Sequence, residues 1–149
     1  MEDYTIFTCV DFWKDVKQLS KDIKSSLLEY DVNQEEFENF SASEKFSAIP
    51  LLRQISNTIK NKFDKPEEIP NNDKNGQQPF LSNDWVVWKM RWAVDNRGAR
   101  YGLRIMYSIN GKHIIFSSIK RKQEVKNSEM EHQKEAIDRL KVFFDCTNK

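Results

Sequence analysis

The dipeptide Asn110-Gly111, set between apolar runs at 103–109 and 114–119, constrains this chain more than any other feature. A two-residue type I′ turn needs positive φ at both central residues, and Asn-Gly is well able to supply it. The dipeptide therefore predicts a β-hairpin with Ile109 opposite Lys112, Tyr107 opposite Ile114, Ile105 opposite Phe116 and Arg104 opposite Ser117. Leu103, Ile105, Tyr107, Ile114 and Phe116 then share a face that belongs against a core. The other face carries Arg104, Met106, Ile115 and Ser117, and grows more polar toward Arg104. Upstream, residues 85–94 alternate as well, with Val86, Trp88, Met90, Trp92 and Val94 on one side and Lys89 and Arg91 on the other. Three such segments make an antiparallel meander.

The first 63 residues read as mainly helical. After a short β-prone run, Tyr4-Thr5-Ile6-Phe7-Thr8, Asp11 stands at an N-cap position for a helix with an apolar stripe of Phe12, Val16, Leu19, Ile23, Leu27 and Tyr30. Asn33 with Glu36 makes a capping-box-like start for a second helix bearing Phe37 and Phe40. Ser43 is the expected cap of the next segment, and Pro50 marks a break or a first turn before Leu51, Leu52, Ile55, Ile59 and Phe63. Residues 64–84 hold three of the four prolines and a polar run, a composition that predicts a mobile loop. Ser128 with Glu131 predicts a capped final helix whose Met130, Ile137, Leu140 and Phe144 pack on the sheet. His132 reads as exposed in its first turn, and His113 as a strand-surface residue near the hairpin tip. The expected fold is one α+β domain over 1–149: a small twisted antiparallel sheet with N-terminal helices and a C-terminal helix packed on it.

Charge is segregated along the chain, although the total is only +1. Residues 85–126 hold ten cations, namely Lys89, Arg91, Arg97, Arg100, Arg104, Lys112, Lys120, Arg121, Lys122 and Lys126, against Asp95 and Glu124. Residues 1–84 carry ten basic and sixteen acidic groups. Such asymmetry points to a polyanionic partner for the basic part, and five of its ten cations are arginine, the better phosphate fork. No stretch reaches the ~18 apolar residues of a membrane span, so a cytoplasmic protein without membrane contact is expected. Cys9 and Cys146 lack metal-type spacing and read as reduced thiols. Nothing in the chain calls for a metal or cofactor: there is no phosphate-binding glycine loop, nucleophile elbow or HExxH.

The stretch 88–107, with its Lys89-x-Arg91 strand, basic glycine-containing turn and Gly102-x-Arg104-x-x-Tyr107, resembles RelE/ParE-superfamily toxins of the HigB type. The likeness continues through Asn110-Gly111, the basic run Lys120-Arg121-Lys122 and the final helix, about sixty residues in all. It implies an antiparallel sheet with helices on one face and a basic concave side turned toward mRNA and ribosomal RNA. The implied activity is a ribosome-dependent mRNA endonuclease, working by metal-free attack of a ribose 2′-OH and held in check by a small antitoxin protein. The implied catalytic set is Arg91, Arg104 and the pair Arg121 and Lys122, within one position. Lys89, Arg97, Arg100, Lys120 and Lys126 are implied RNA contacts. Tyr107 matches the family tyrosine, yet its strand parity puts it on the core face. Members of the superfamily also inhibit DNA gyrase without cutting, so a binding protein that lacks catalysis is the alternative.

Overall fold

Residues 4–22, 28–29, 31–75, 85–93, 102–121 and 129–147 are described by the computed structural model. The hairpin is present as β4 (Leu103–Asn110) and β5 (His113–Arg121), but its turn is set differently from the expectation. Asn110 pairs with His113, so Gly111 and Lys112 are the central residues. Only Gly111 there has positive φ, 58°, the pattern of a turn with glycine first, and not of type I′. Tyr107 consequently faces Phe116 instead of Ile114, a two-residue shift that preserves which side chains share a face. A bulge between Met106 and Tyr107 then brings Arg104 opposite Lys120, where Ser117 had been expected.

The sheet has five strands in the order β1-β5-β4-β3-β2, with β1 at Thr5–Thr8, β2 at Asn72–Asn75 and β3 at Val86–Trp92. It is mixed, not a purely antiparallel meander, because β1 runs parallel to β5. The expected loop at 64–84 is corrected for its described part: Pro66–Glu68 form a 3₁₀ turn and β2 adds an edge strand to β3. Asn72 makes this possible. Its amide donates to the Pro66 carbonyl at 3.0 Å and its side-chain oxygen accepts from the Tyr107 hydroxyl at 3.0 Å. Tyr107 is fully buried, as its parity predicted, and burial pushes its phenol pKa well up.

Helices cover both faces of the sheet, where one had been expected. On the Tyr107 side lie α1 (Phe12–Asp22), α2 (Gln34–Glu38), α3 (Ala42–Ala48) and α4 (Pro50–Lys60). Phe46 meets Phe116 at 4.5 Å between ring centroids, and Leu51, Leu52, Ile55 and Ile59 are buried with Ile105 and Met90. On the opposite side α5 (Glu129–Thr147) sets Ala136 and Leu140 against Val87, Met106 and Ile115. Trp85 against Phe144 and Phe7 against Phe143, each at 5.8 Å, close its far end.

Local signals explain most helix starts. Asn33 accepts from the Glu36 N–H, and Pro50 occupies the first turn of α4. The cap of α3 is Ser41, in a reciprocal box with Glu44, instead of Ser43. Ser43 Oγ accepts from the Ile6 N–H at 3.3 Å, tying α3 to β1. Asp11 has φ 68°, outside the extended backbone of an N-cap, and its carbonyl accepts from Asp15 N–H at 3.1 Å. The Ser128 cap, and the stripe positions Ile23, Leu27, Tyr30 and Val94, lie outside the described residues.

Gly102 shows why its motif begins with glycine. A β-carbon there would overlap the backbone carbonyl oxygen of Trp92, which a flexible side chain could not relieve. Gly102→Ala is expected to destabilise the protein by ~1–3 kcal/mol, read as a lower midpoint in urea unfolding. An unchanged midpoint would show that β3 and β4 do not approach this closely.

Candidate functional site

The register assembles a row of cations across three strands. Arg91 pairs with Arg104, and Arg104 with Lys120, so three positive residues stand side by side on the α5 face. Lys89, two residues along β3, points the same way. Like charges directly opposite one another destabilise a sheet unless compensated. Compensation comes from the flanks: Arg91 meets Asp73 at 3.5 Å, and Lys120 meets Asp15 at 3.1 Å and Glu135 at 3.3 Å. Arg104, between them, is 2% exposed and donates from Nη1 to the Leu103 carbonyl at 3.2 Å.

Access along the row falls steeply. Arg91 is exposed and Lys89 half-buried, whereas the Lys120 side chain is 20% exposed and Arg104 is enclosed. The expected surface position of Arg104 is thus corrected: Lys120 and Met106, its neighbours on this face, both engage α5. Arg121, also in the implied catalytic set, does not share a face with Arg91 and Arg104, because it pairs with Leu103 and belongs to the other side of the sheet. The bulge is the reason, since it advances β5 by one residue relative to β4. Arg97, Arg100, Lys122 and Lys126 lie outside the described residues.

Beside this row is a buried polar cluster that sequence reasoning missed. β1 accompanies β5 only to Phe116, whose carbonyl accepts from Cys9 N–H at 3.0 Å. Beyond it the open edge of β5 is completed by side chains. Arg139 Nη1 donates to the Ser117 carbonyl at 2.9 Å, and Asp15 Oδ2 accepts from Ile119 N–H at 3.2 Å. Arg139 and Asp15 also meet fork to fork, at 2.6 and 3.2 Å, and Arg139 reaches Glu135 at 2.5 Å. His132 completes the cluster. It is 4% exposed, with Nε2 2.6 Å from the Ser118 hydroxyl, not in the exposed position expected of it.

The protonation states follow from these contacts. Burial works to lower the Lys120 pKa, but Asp15 and Glu135 overcome it and the net shift is upward. Lys120 therefore remains an ammonium and acts by charge, not as a base. Burial, reinforced by Lys120 and Arg139 and only partly offset by Glu135 and Asp15, brings His132 down to about 4. At neutral pH it is an uncharged imidazole. Burial raises the Cys9 thiol to about 11, against the Ser117 hydrogen bond, so it stays protonated. His113 is exposed and stacks on Phe7 at 6.0 Å.

A signal for the cluster did exist in the sequence. His132, Glu135 and Arg139 follow i, i+3, i+7 spacing and share a helix face with Ala136 and Leu140. Their partner Asp15 is more than a hundred residues away, on the polar side of a helical stripe. Among the described residues no group of three His, Cys, Asp or Glu is arranged to hold a metal ion, and no helix is long and apolar enough to cross a membrane. Comparison with protein-family models, curated proteins and solved structures returned no match to this chain.

Removing one partner of a buried ion pair leaves the other charge stranded. Asp15→Ala is therefore expected to cost ~3–5 kcal/mol in chemical denaturation and to loosen α1 and α5 together. A loss below ~1 kcal/mol, the range of exposed pairs, would mean that solvent reaches Arg139. Arg104→Ala is a truncation of a buried side chain and should lower stability by ~1–3 kcal/mol. A melting curve identical to wild type would return Arg104 to the surface.

Proposed function

We infer that this protein acts on RNA as a RelE/ParE-like toxin, a metal-independent mRNA endonuclease that works at the ribosome and is restrained by a small antitoxin. The observation that carries this reading is the in-register row Arg91, Arg104 and Lys120 with Lys89 beside it, on one face of the sheet. Arginine binds two phosphate oxygens at once and keeps its charge, which suits the extra negative charge of a phosphorane. Lys89 and Arg91 give the first grip on the backbone, and Arg104 and Lys120 supply the charge behind them.

A second reading has its own observation. Arg104 is 2% exposed and Lys120 is held by two carboxylates, so the inner half of the row is engaged within the protein. That favours a toxin-like binding protein without cleavage, such as a DNA gyrase inhibitor. A supercoiling assay with purified gyrase separates the two, because an mRNA interferase leaves that reaction untouched.

The decisive test is ribosome-bound mRNA in a translating extract, cut by the wild-type protein with a metal chelator present. Intact message, under conditions where a known interferase cuts, would sink the nuclease reading. Replacing Lys89 with Ser and Arg91 with Ala together should reduce the slope of log affinity against log salt by roughly 1–2, as two phosphate contacts are lost. Both side chains lie outside the core, so stability should hold within ~0.5 kcal/mol. An unchanged slope would remove this face from the RNA interface.

A further inference from the structure

The helix α5 is held to the sheet in two ways. Its C-terminal half uses apolar contacts, with Leu140 in the Met106 and Ile115 cluster, Phe143 against Phe7 and Phe144 against Trp85. Its N-terminal half uses polar ones: His132 to Ser118, then Glu135 and Arg139 to Lys120, Asp15 and the Ser117 carbonyl. That polar half lies over the basic end of the sheet, where Ser118 pairs with Met106 and Lys120 with Arg104.

We propose that α5 is a cover over the Arg104 and Lys120 end of the sheet, latched by uncharged His132 and released when His132 takes up a proton. This rests on the reading of that row as an RNA-binding surface. The charged groups facing His132 among the described residues are Lys120 from β5, Asp15 from α1, and Glu135 and Arg139 from α5 itself. Asp15 is already shared between Arg139, Lys120 and the Ile119 N–H, and Glu135 between Arg139 and Lys120. A third cation buried at this point adds to Arg139 and Lys120, with no further carboxylate among the described residues to receive it. The ring must also leave the low-dielectric seam to be hydrated, and the helix that carries it must leave with it.

The direction of the pH effect follows. His132 is pushed down to about 4 in the docked helix, from an ordinary value near 6.5. The undocked state therefore binds more protons as pH falls below about 6.5. Docking is at full strength above that pH and is lost as pH drops through about 4. Between pH 7 and 5 the opening equilibrium of α5 should rise roughly 20-fold, while ordinary carboxylates remain ionised.

Hydrogen exchange of the full-length protein, corrected for the intrinsic pH dependence of amide exchange, measures this directly. At pH 5, α5 should lose protection by roughly 20-fold relative to pH 7, with β3, β4 and β5 unchanged. His132→Gln can keep a hydrogen bond to Ser118 but cannot take up a proton, and its α5 protection should be flat across the window. The same response in His132→Gln, no response in wild type, or equal loss of protection in the sheet would each overturn the latch. A parallel titration with a fluorescent oligoribonucleotide at both pH values tests the underlying reading separately. Tighter binding by wild type than by His132→Gln at pH 5 supports both; opening of α5 without that difference supports the latch and removes RNA as the ligand of this face.

Discussion

The pair formed by Asp15 and Arg139 stands where a strand would otherwise be needed. β1 leaves β5 after Phe116, and the backbone groups of β5 beyond that point still require partners inside the fold. Asp15 takes the Ile119 N–H and Arg139 takes the Ser117 carbonyl, and the two side chains close on each other. One ion pair thereby completes the sheet edge and joins α1, β5 and α5, elements that come from opposite ends of the chain. Burying two charges is costly, and the geometry here offsets that cost through a two-point fork and hydrogen bonds to the remaining lone pairs. Without it, α5 would keep its apolar half and the contacts of His132 and Glu135 with β5, but lose its link to α1.

That arrangement determines the character of the α5 face. The Tyr107 side of the sheet is a conventional core of aromatic and aliphatic side chains, continuous from Phe12 to Ile119. The α5 side is divided, with Met106, Ile115 and Leu140 at one end and Arg104, Lys120 and His132 at the other. A helix spanning such a surface has to supply carboxylates to the cations and apolar groups to the rest. Glu135 and Leu140 do so from a single turn and a half of α5. The same division leaves Lys89 and Arg91 near solvent while their strand neighbours are enclosed. A charged row that runs from the surface to beneath a helix is suited to a ligand whose access depends on that helix.

Local chemistry was readable from the chain because it depends on neighbours in sequence. The hairpin at Asn110-Gly111, the parity of Tyr107, the cap at Asn33 and the first-turn place of Pro50 all follow from backbone preferences within a few residues. Even where the turn moved, the alternation of side chains held from the turn to the bulge, because a shift of two residues leaves each of those side chains on its face. What the tertiary structure alone decided was which groups from distant segments share one low-dielectric space. The bulge that exchanged Arg121 for Lys120, the parallel pairing of β1, the edge strand at Asn72 and the side of the sheet taken by α5 each depend on contacts over many residues. Hydrophobic alternation states that a residue faces the sheet's second side, but not whether water or a helix lies there. For Arg104 and His132 that difference is the whole of their chemistry, since burial and the charges gathered around them set what each can bind and when it can carry a proton.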